Sequence, residues 1–315
     1  MRIDSGLGRL LVRLAIAIVV VGAAYLIYRA VSEYSFEEIV SSIKSIPARH
    51  VLGALGFATL SYLCLTGFDY LAVRYAGKPL PYQRTALASF CSLSIGHNVG
   101  VAALSSGAIR YRFYSRWGLT AGDVAKVIIF SGLTVGLGLV TLGGIGLLLY
   151  PEDAEGLLGL ERTAIMGMGA SCLAAPIIYL VLSHLLRNPL QIGKWSIRLP
   201  PVRLAIPQVA VGTLNFAFVA ACLHQLMTAF ADLAYLKVAA TYVIGNATAL
   251  MSHVPGGIGV LEAAVLYLIP GAGSLAALVA FRVIYFFVPL AFGLPLFLVS
   301  EYMLAGRRRS TRPTK

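Results

Sequence analysis

Charge is what this chain has least of. Only 12% of its 315 residues are Asp, Glu, Lys or Arg, and only 13 are acidic. A soluble globular domain carries about 25% charged residues, so a soluble fold with a large extramembrane domain is excluded. Cysteine is scarce as well. Cys64, Cys91, Cys172 and Cys222 each stand alone in an apolar run, without CxxC spacing. That excludes a disulfide framework or a thiolate metal cluster and leaves four small core residues. Enzyme signatures are missing too: there is no HExxH, no GxSxG, no P-loop ending in GK[ST], and no pair of aspartates at intramembrane-protease spacing. Ser105-Ser106 lies near His97, but no base or orienting acid accompanies it. His97 and His253 lack a third ligand for zinc. The expectation is a chain with no catalytic residues, no metal and no cofactor.

What is present is hydrophobicity, at 58% of residues. A bilayer span needs about 20 apolar residues. Runs of that kind lie near 10–31, 51–74, 86–108, 124–149, 163–184, 206–230, 238–252 and 276–304, with a half-span at 257–270. These predict an all-α integral membrane protein, a single transmembrane domain over 1–315 with about 6–8 membrane helices. The net charge of +12 does not indicate nucleic acid, because the cations sit in short loops between spans. There they set topology and meet anionic headgroups.

Loop charges orient the spans. Arg2, Arg9 and Arg13 place the N-terminus in the cytoplasm. Glu152, Asp153, Glu155 and Glu161 make 150–162 external, whereas 184–205 and the tail AGRRRSTRPTK are basic and internal. The run 86–108 has Arg74, Lys78 and Arg84 before it and Arg110, Arg112 and Arg116 after it. Two cytoplasmic flanks predict a re-entrant hairpin, broken at His97-Asn98-Val99-Gly100. A second hairpin is expected over 238–270, from outside, broken by Pro255, Gly256, Gly257 and Gly259 after His253. Both breaks read H-x-x-G, a short match compatible with an inverted repeat of broken helices.

The polar residues at these breaks are the candidate site. Glu262 lies just past the second break, and a carboxylate at membrane depth marks function. Non-helical backbone survives there only when buried in protein or lining a polar space. Arg282, inside the last run, is its expected partner or a phosphate ligand. Arg110, Arg112 and Arg116 alternate with Tyr111, Phe113, Tyr114 and Trp117. Guanidinium groups grip phosphate by two hydrogen bonds and aromatics favour the headgroup layer. The predicted headgroup site is therefore Arg110, Arg112, Arg282, Glu262, His97, His253 and Asn98, with Gly100 and the Pro255–Gly259 segment breaking the helices. Asp69 is expected to be an interfacial charge. Gly132, Gly136, Gly138, Gly143, Gly144 and Gly146 are expected to permit close helix packing. Thr120 and Asp123 are expected to cap a helix.

The strings SIGHNVGVAALSSGAIRYRFYSRWGLTAGDVAKV and HVPGGIGVLEAAVL resemble the transmembrane, flippase-type domain of bacterial lysylphosphatidylglycerol synthases (the multiple peptide resistance factor) and its stand-alone relatives. The resemblance runs from the second span to the last, and Pro255 to Glu262 is its most specific piece. It implies an inner-membrane protein with re-entrant helices around a lipid-accessible cavity. The implied activity is moving phosphatidylglycerol, or an aminoacylated form of it, between leaflets. A chain ending at Lys315 is expected to lack the soluble transferase domain and not to make lysylphosphatidylglycerol itself. The expected partners are anionic phospholipids, with a second copy of the chain or a separate lipid-modifying enzyme as further partners. The rival readings are a secondary transporter of a soluble anion and a non-catalytic partner of a lipid-modifying enzyme.

Overall fold

A computed structural model describes residues 36–99, 102–186, 190–192, 195–252, 259–271 and 274–310. The apolar run 10–31 and the break residues Gly100, His253, Pro255, Gly256 and Gly257 lie outside them. Twelve helices are described: α1 (Phe36–Ser45), α2 (Ala48–Tyr75), α3 (Tyr82–Val99), α4 (Ala102–Arg116), α5 (Ala121–Leu149), α6 (Pro151–Leu158), α7 (Arg162–Leu185), α8 (Val202–Met227), α9 (Tyr235–Ser252), α10 (Val260–Leu268), α11 (Ser274–Arg282) and α12 (Val288–Ser310). A π-helical turn, Val283–Phe287, joins α11 to α12. Among the described residues the exception to helix is a small antiparallel pair, β1 (Leu190–Ile192) and β2 (Trp195–Ile197), within the basic 184–205 loop. The fold is an all-α polytopic membrane protein.

Among the described residues, five segments are long and apolar enough to cross a bilayer: Ala48–Tyr75, Ala121–Leu149, Arg162–Leu185, Val202–Met227 and Leu275–Met303. They fall on the predicted runs 51–74, 124–149, 163–184, 206–230 and 276–304. The runs 86–108 and 238–252 behave differently. The run 86–108 is divided between two shorter helices, α3 and α4, and the run 238–252 is one arm of the pair α9 and α10.

The core is built on α2 and α8, which pack antiparallel. Gly53 lies against Gln225, Ser61 bonds Asn215, and Tyr75 Oη donates to the Arg198 carbonyl at the other end. Helix α5 packs on α8 so tightly that a Cβ on Gly138 would stand 2.4 Å from Gly212 backbone atoms. Small residues are what let membrane helices approach so closely. Gly143 and Gly144 likewise face Val243 and Leu173, whereas Gly132 and Gly136 face open space. The expected glycine stripe is thus a packing surface only in part. Thr120 and Asp123 form the expected reciprocal cap at the start of α5: Thr120 N donates to Asp123 Oδ2 at 3.0 Å and Asp123 N donates to Thr120 Oγ1 at 3.2 Å.

The two helix pairs start from opposite ends of the bundle. Tyr82, at the start of α3, bonds Thr66 and packs on Tyr70, near the C-terminal end of α2. Tyr235, at the start of α9, bonds the Ala217 carbonyl in the C-terminal half of α8. Because α2 and α8 are antiparallel, these are opposite ends. Each pair closes tightly near its turn: a Cβ on Gly96 would crowd Ser106, and one on Gly245 would crowd Leu261.

Candidate functional site

The end of α3 and the start of α10 reach the same stretch of the last span. From the α3 side, Asn98 Nδ2 donates to the Phe286 carbonyl at 3.3 Å and to the Ser94 carbonyl at 2.8 Å. The neighbouring His97 ring lies parallel to Tyr285, with centroids 6.4 Å apart, and edge-on to Phe286 and Tyr62. From the other side, Glu262 at the start of α10 meets Arg282, one residue before the π-turn. Arg282 Nε donates to Glu262 Oε1 at 2.6 Å and Nη2 to Oε2 at 3.0 Å. The guanidinium also lies 4.9 Å from the Phe286 ring centroid, a cation–π arrangement.

The reason this geometry forms is local. Gly259 has φ +82°, a conformation that costs glycine little, and so turns the chain into α10. Glu262 then reaches back to accept the Gly259 N–H at 3.0 Å, capping the helix while holding Arg282. Both residues are buried, Glu262 at 7% and Arg282 at 6% exposure. On the last span, the π-turn inserts one extra residue per turn and frees backbone carbonyls from the α-helical ladder. Two carbonyls of this turn accept side-chain bonds, that of Phe286 from Asn98 and that of Tyr285 from Tyr62 Oη, both at 3.3 Å. Around the turn Phe281, Tyr285, Phe286, Tyr62 and Tyr242 make a continuous aromatic cluster.

The sequence placed Arg110 and Arg112 in this site, and the structure puts them elsewhere. Arg110 is closed on Asp69: Nε lies 2.9 Å from Oδ2, Nη2 lies 2.8 Å from Oδ1, and Nη1 donates to Ser106 at 3.1 Å. Tyr114 Oη adds a 2.6 Å bond to Asp69. Asp69 and Tyr114 are fully buried and Arg110 nearly so. The reading of Asp69 as an interfacial charge is therefore corrected. Its carboxylate is the buried anchor that ties α4 to α2, and this interior location is tolerable only because three donors surround it. Arg112 instead pairs with Glu301 on α12, together with Arg116, whose Nη1 is 2.6 Å and Nη2 2.8 Å from that carboxylate.

The predicted site is thus three separate ion-pair centres. Glu262 and Arg282 come together, with His97 and Asn98 reaching the adjoining turn. Arg110 and Arg112 belong to the other two centres. Among the described residues no group of His, Cys, Asp and Glu is arranged to hold a metal. Sequence reasoning missed Tyr285, Ser61 and Asn215, whose hydroxyl–amide chain (Asn215 Oδ1 to Ser61 Oγ to Tyr285 Oη, both 2.8 Å) fixes the π-turn against α2 and α8. A lone serine or asparagine in an apolar run carries no such signal. Asp69 did carry one, since it obeys the rule that singled out Glu262.

These features define a class: an all-α polytopic membrane protein in which two pairs of short helices, α3–α4 and α9–α10, reach the last span beside a buried ion pair. The comparisons narrow it to a family. Residues 11–293 match the family described as the lysylphosphatidylglycerol synthase TM region, and the chain belongs to it. It is 33% identical over 261 residues to an uncharacterized Synechocystis sp. protein, slr0712, covering 82% of this chain and 81% of that one. It is 27% identical over 277 residues to the inner membrane protein YbhN of Escherichia coli, covering 84% and 85%.

Proposed function

We propose that this protein moves a phospholipid, phosphatidylglycerol or a derivative with an amino group on its headgroup, between the leaflets of a bacterial inner membrane. The reading has its main support in one observation: a buried Glu262–Arg282 pair sits beside the point where the end of α3 also reaches the last span. A charge pair inside a span is expensive and is characteristic of substrate or ion pathways. Broken helices meeting near mid-membrane are an alternating-access architecture. Arg282 suits a lipid phosphate, Glu262 a headgroup ammonium, and the acyl chains stay in the bilayer. The family and the inner-membrane relative YbhN support the location. The basic end of the bundle, with both termini, faces the cytoplasm, and the α3–α4 pair re-enters from that side. The protein acts without chemical turnover, passively or coupled to an ion at Glu262.

Reconstitution tests it. Purified protein in liposomes accelerates leaflet exchange of labelled phosphatidylglycerol over protein-free vesicles. Exchange at the protein-free rate for phosphatidylglycerol, its lysylated form and phosphatidylcholine alike, with saturable uptake of a soluble anion instead, would replace it with the solute-transporter reading.

A further inference from the structure

The third ion-pair centre differs from the other two in its openness. The Asp69–Arg110 side chains are 0% and 4% exposed and the Glu262–Arg282 side chains 9% and 7%. Arg112 is 27%, Arg116 20% and Glu301 17% exposed. Two guanidinium groups converge there on one carboxylate, so a net positive charge remains. Arg112 Nε is buried yet has no hydrogen-bond acceptor. Arg84 lies over the Trp117 ring at 5.9 Å, adding a cation to the same end. Lys126 is engaged by Asp123 at 3.5 Å. Helix α12 continues past Glu301 through Arg307, Arg308 and Arg309 to Ser310. By helical rise the centre lies about 28 Å along the chain from Arg282, and it is a distinct place on the molecule.

We infer that Arg112 and Arg116 form a docking site for the phosphate of an anionic membrane lipid, with the Glu301 carboxylate as a built-in competitor. A tetrahedral phosphate offers more oxygens than a carboxylate, and forked guanidinium groups match it by paired hydrogen bonds. It also supplies an acceptor for Arg112 Nε. A lipid is favoured over free phosphate because the last span around Glu301 exposes apolar side chains: Leu298, one turn before Glu301, at 51%, and further round the helix Val299 at 48%, Tyr302 at 84% and Met303 at 65%. Acyl chains can lie along it while the phosphate meets the arginines. The site requires no translocation, so it stands or falls apart from the activity proposed above.

Equilibrium binding in neutral detergent micelles tests this in a Glu262→Gln/Arg282→Gln background, which removes the other proposed headgroup site, with fluorescent phosphatidylglycerol as probe and phosphatidylcholine as comparison. That background protein prefers phosphatidylglycerol, and the further substitutions are made in it. Glu301→Gln removes the competitor and tightens phosphatidylglycerol binding by about tenfold, the equivalent of one charge-assisted contact. The double variant Arg112→Gln/Arg116→Gln loses the preference, and Arg112→Lys/Arg116→Lys keeps part of it, since charge remains without the fork. A Glu301→Gln protein that melts like the background protein but binds phosphatidylglycerol no more tightly overturns the inference. So does a double glutamine variant that retains the preference, which decides the matter even if Glu301→Gln fails to fold. Displacement of the lipid by inorganic phosphate overturns the lipid assignment; retention against a large excess supports it.

Discussion

Glu262 and Arg282, twenty residues apart in sequence, hold each other through two hydrogen bonds at 2.6 and 3.0 Å. Glu262 also caps its own helix through Gly259. One side chain therefore does two jobs, and the substitutions separate them. Glu262→Gln keeps an acceptor for the Gly259 N–H but removes the carboxylate that neutralises the buried Arg282. Breaking a buried pair from one side costs about 3–5 kcal/mol, whereas neutralising both partners costs far less. Thermal unfolding in detergent should show a large fall for Glu262→Gln and recovery of most of it in Glu262→Gln/Arg282→Gln. Additive losses in the double variant would mean the pair is not coupled.

The Asp69–Arg110 centre is structural. Arg110→Gln strands a fully buried Asp69 with Tyr114 as its remaining partner, and a loss of about 3–5 kcal/mol follows. Adding Asp69→Asn should restore part of the stability, again read by melting. Selective loss of lipid exchange at wild-type stability would return Arg110 to the substrate site.

Packing between α5 and α8 predicts a sharp positional contrast. Gly138→Ala drives a methyl into the Gly212 backbone, where neither helix can yield locally. Overpacking of this sort costs about 1–3 kcal/mol or more. Gly132→Ala meets nothing within 4 Å and should be silent. Expression level and melting midpoint of the two variants check this side by side.

Much of this was legible from composition. Apolar runs of spanning length located the membrane helices, and Thr120 with Asp123 announced its own cap. Loop charges on both flanks of 86–108 pointed to paired short helices, because like-charged flanks cannot straddle one crossing. The pairing of ions was not legible. Arg110, Arg112 and Arg116 are close in sequence, but one turn of helix aims neighbours at different faces. Arg110 consequently meets α2 while Arg112 and Arg116 meet α12. The π-turn was invisible too, since an apolar run with Arg282 a few residues inside its start reads as ordinary helix. It is held by the distant residues Asn98 and Ser61.

Accessibility tests the re-entrant reading of α3 and α4. Tyr82 and Tyr111, 43% and 48% exposed, belong to opposite arms of the pair. In a protein with its native cysteines replaced, Tyr82→Cys and Tyr111→Cys should both react with an impermeant thiol reagent from the cytoplasmic side only. Labelling of the two from opposite sides would show that the segment crosses.

The central claim is that lipid passes by way of the Glu262–Arg282 pair, and leaflet exchange in the stable, neutral Glu262→Gln/Arg282→Gln variant tests it most directly. Wild-type and variant protein would be reconstituted at equal density in phosphatidylglycerol-containing liposomes and exchange of labelled phosphatidylglycerol followed by quenching of the outer leaflet. The account predicts wild-type exchange well above protein-free vesicles and variant exchange reduced to that background. A variant that melts near wild type and exchanges lipid at the wild-type rate would contradict it.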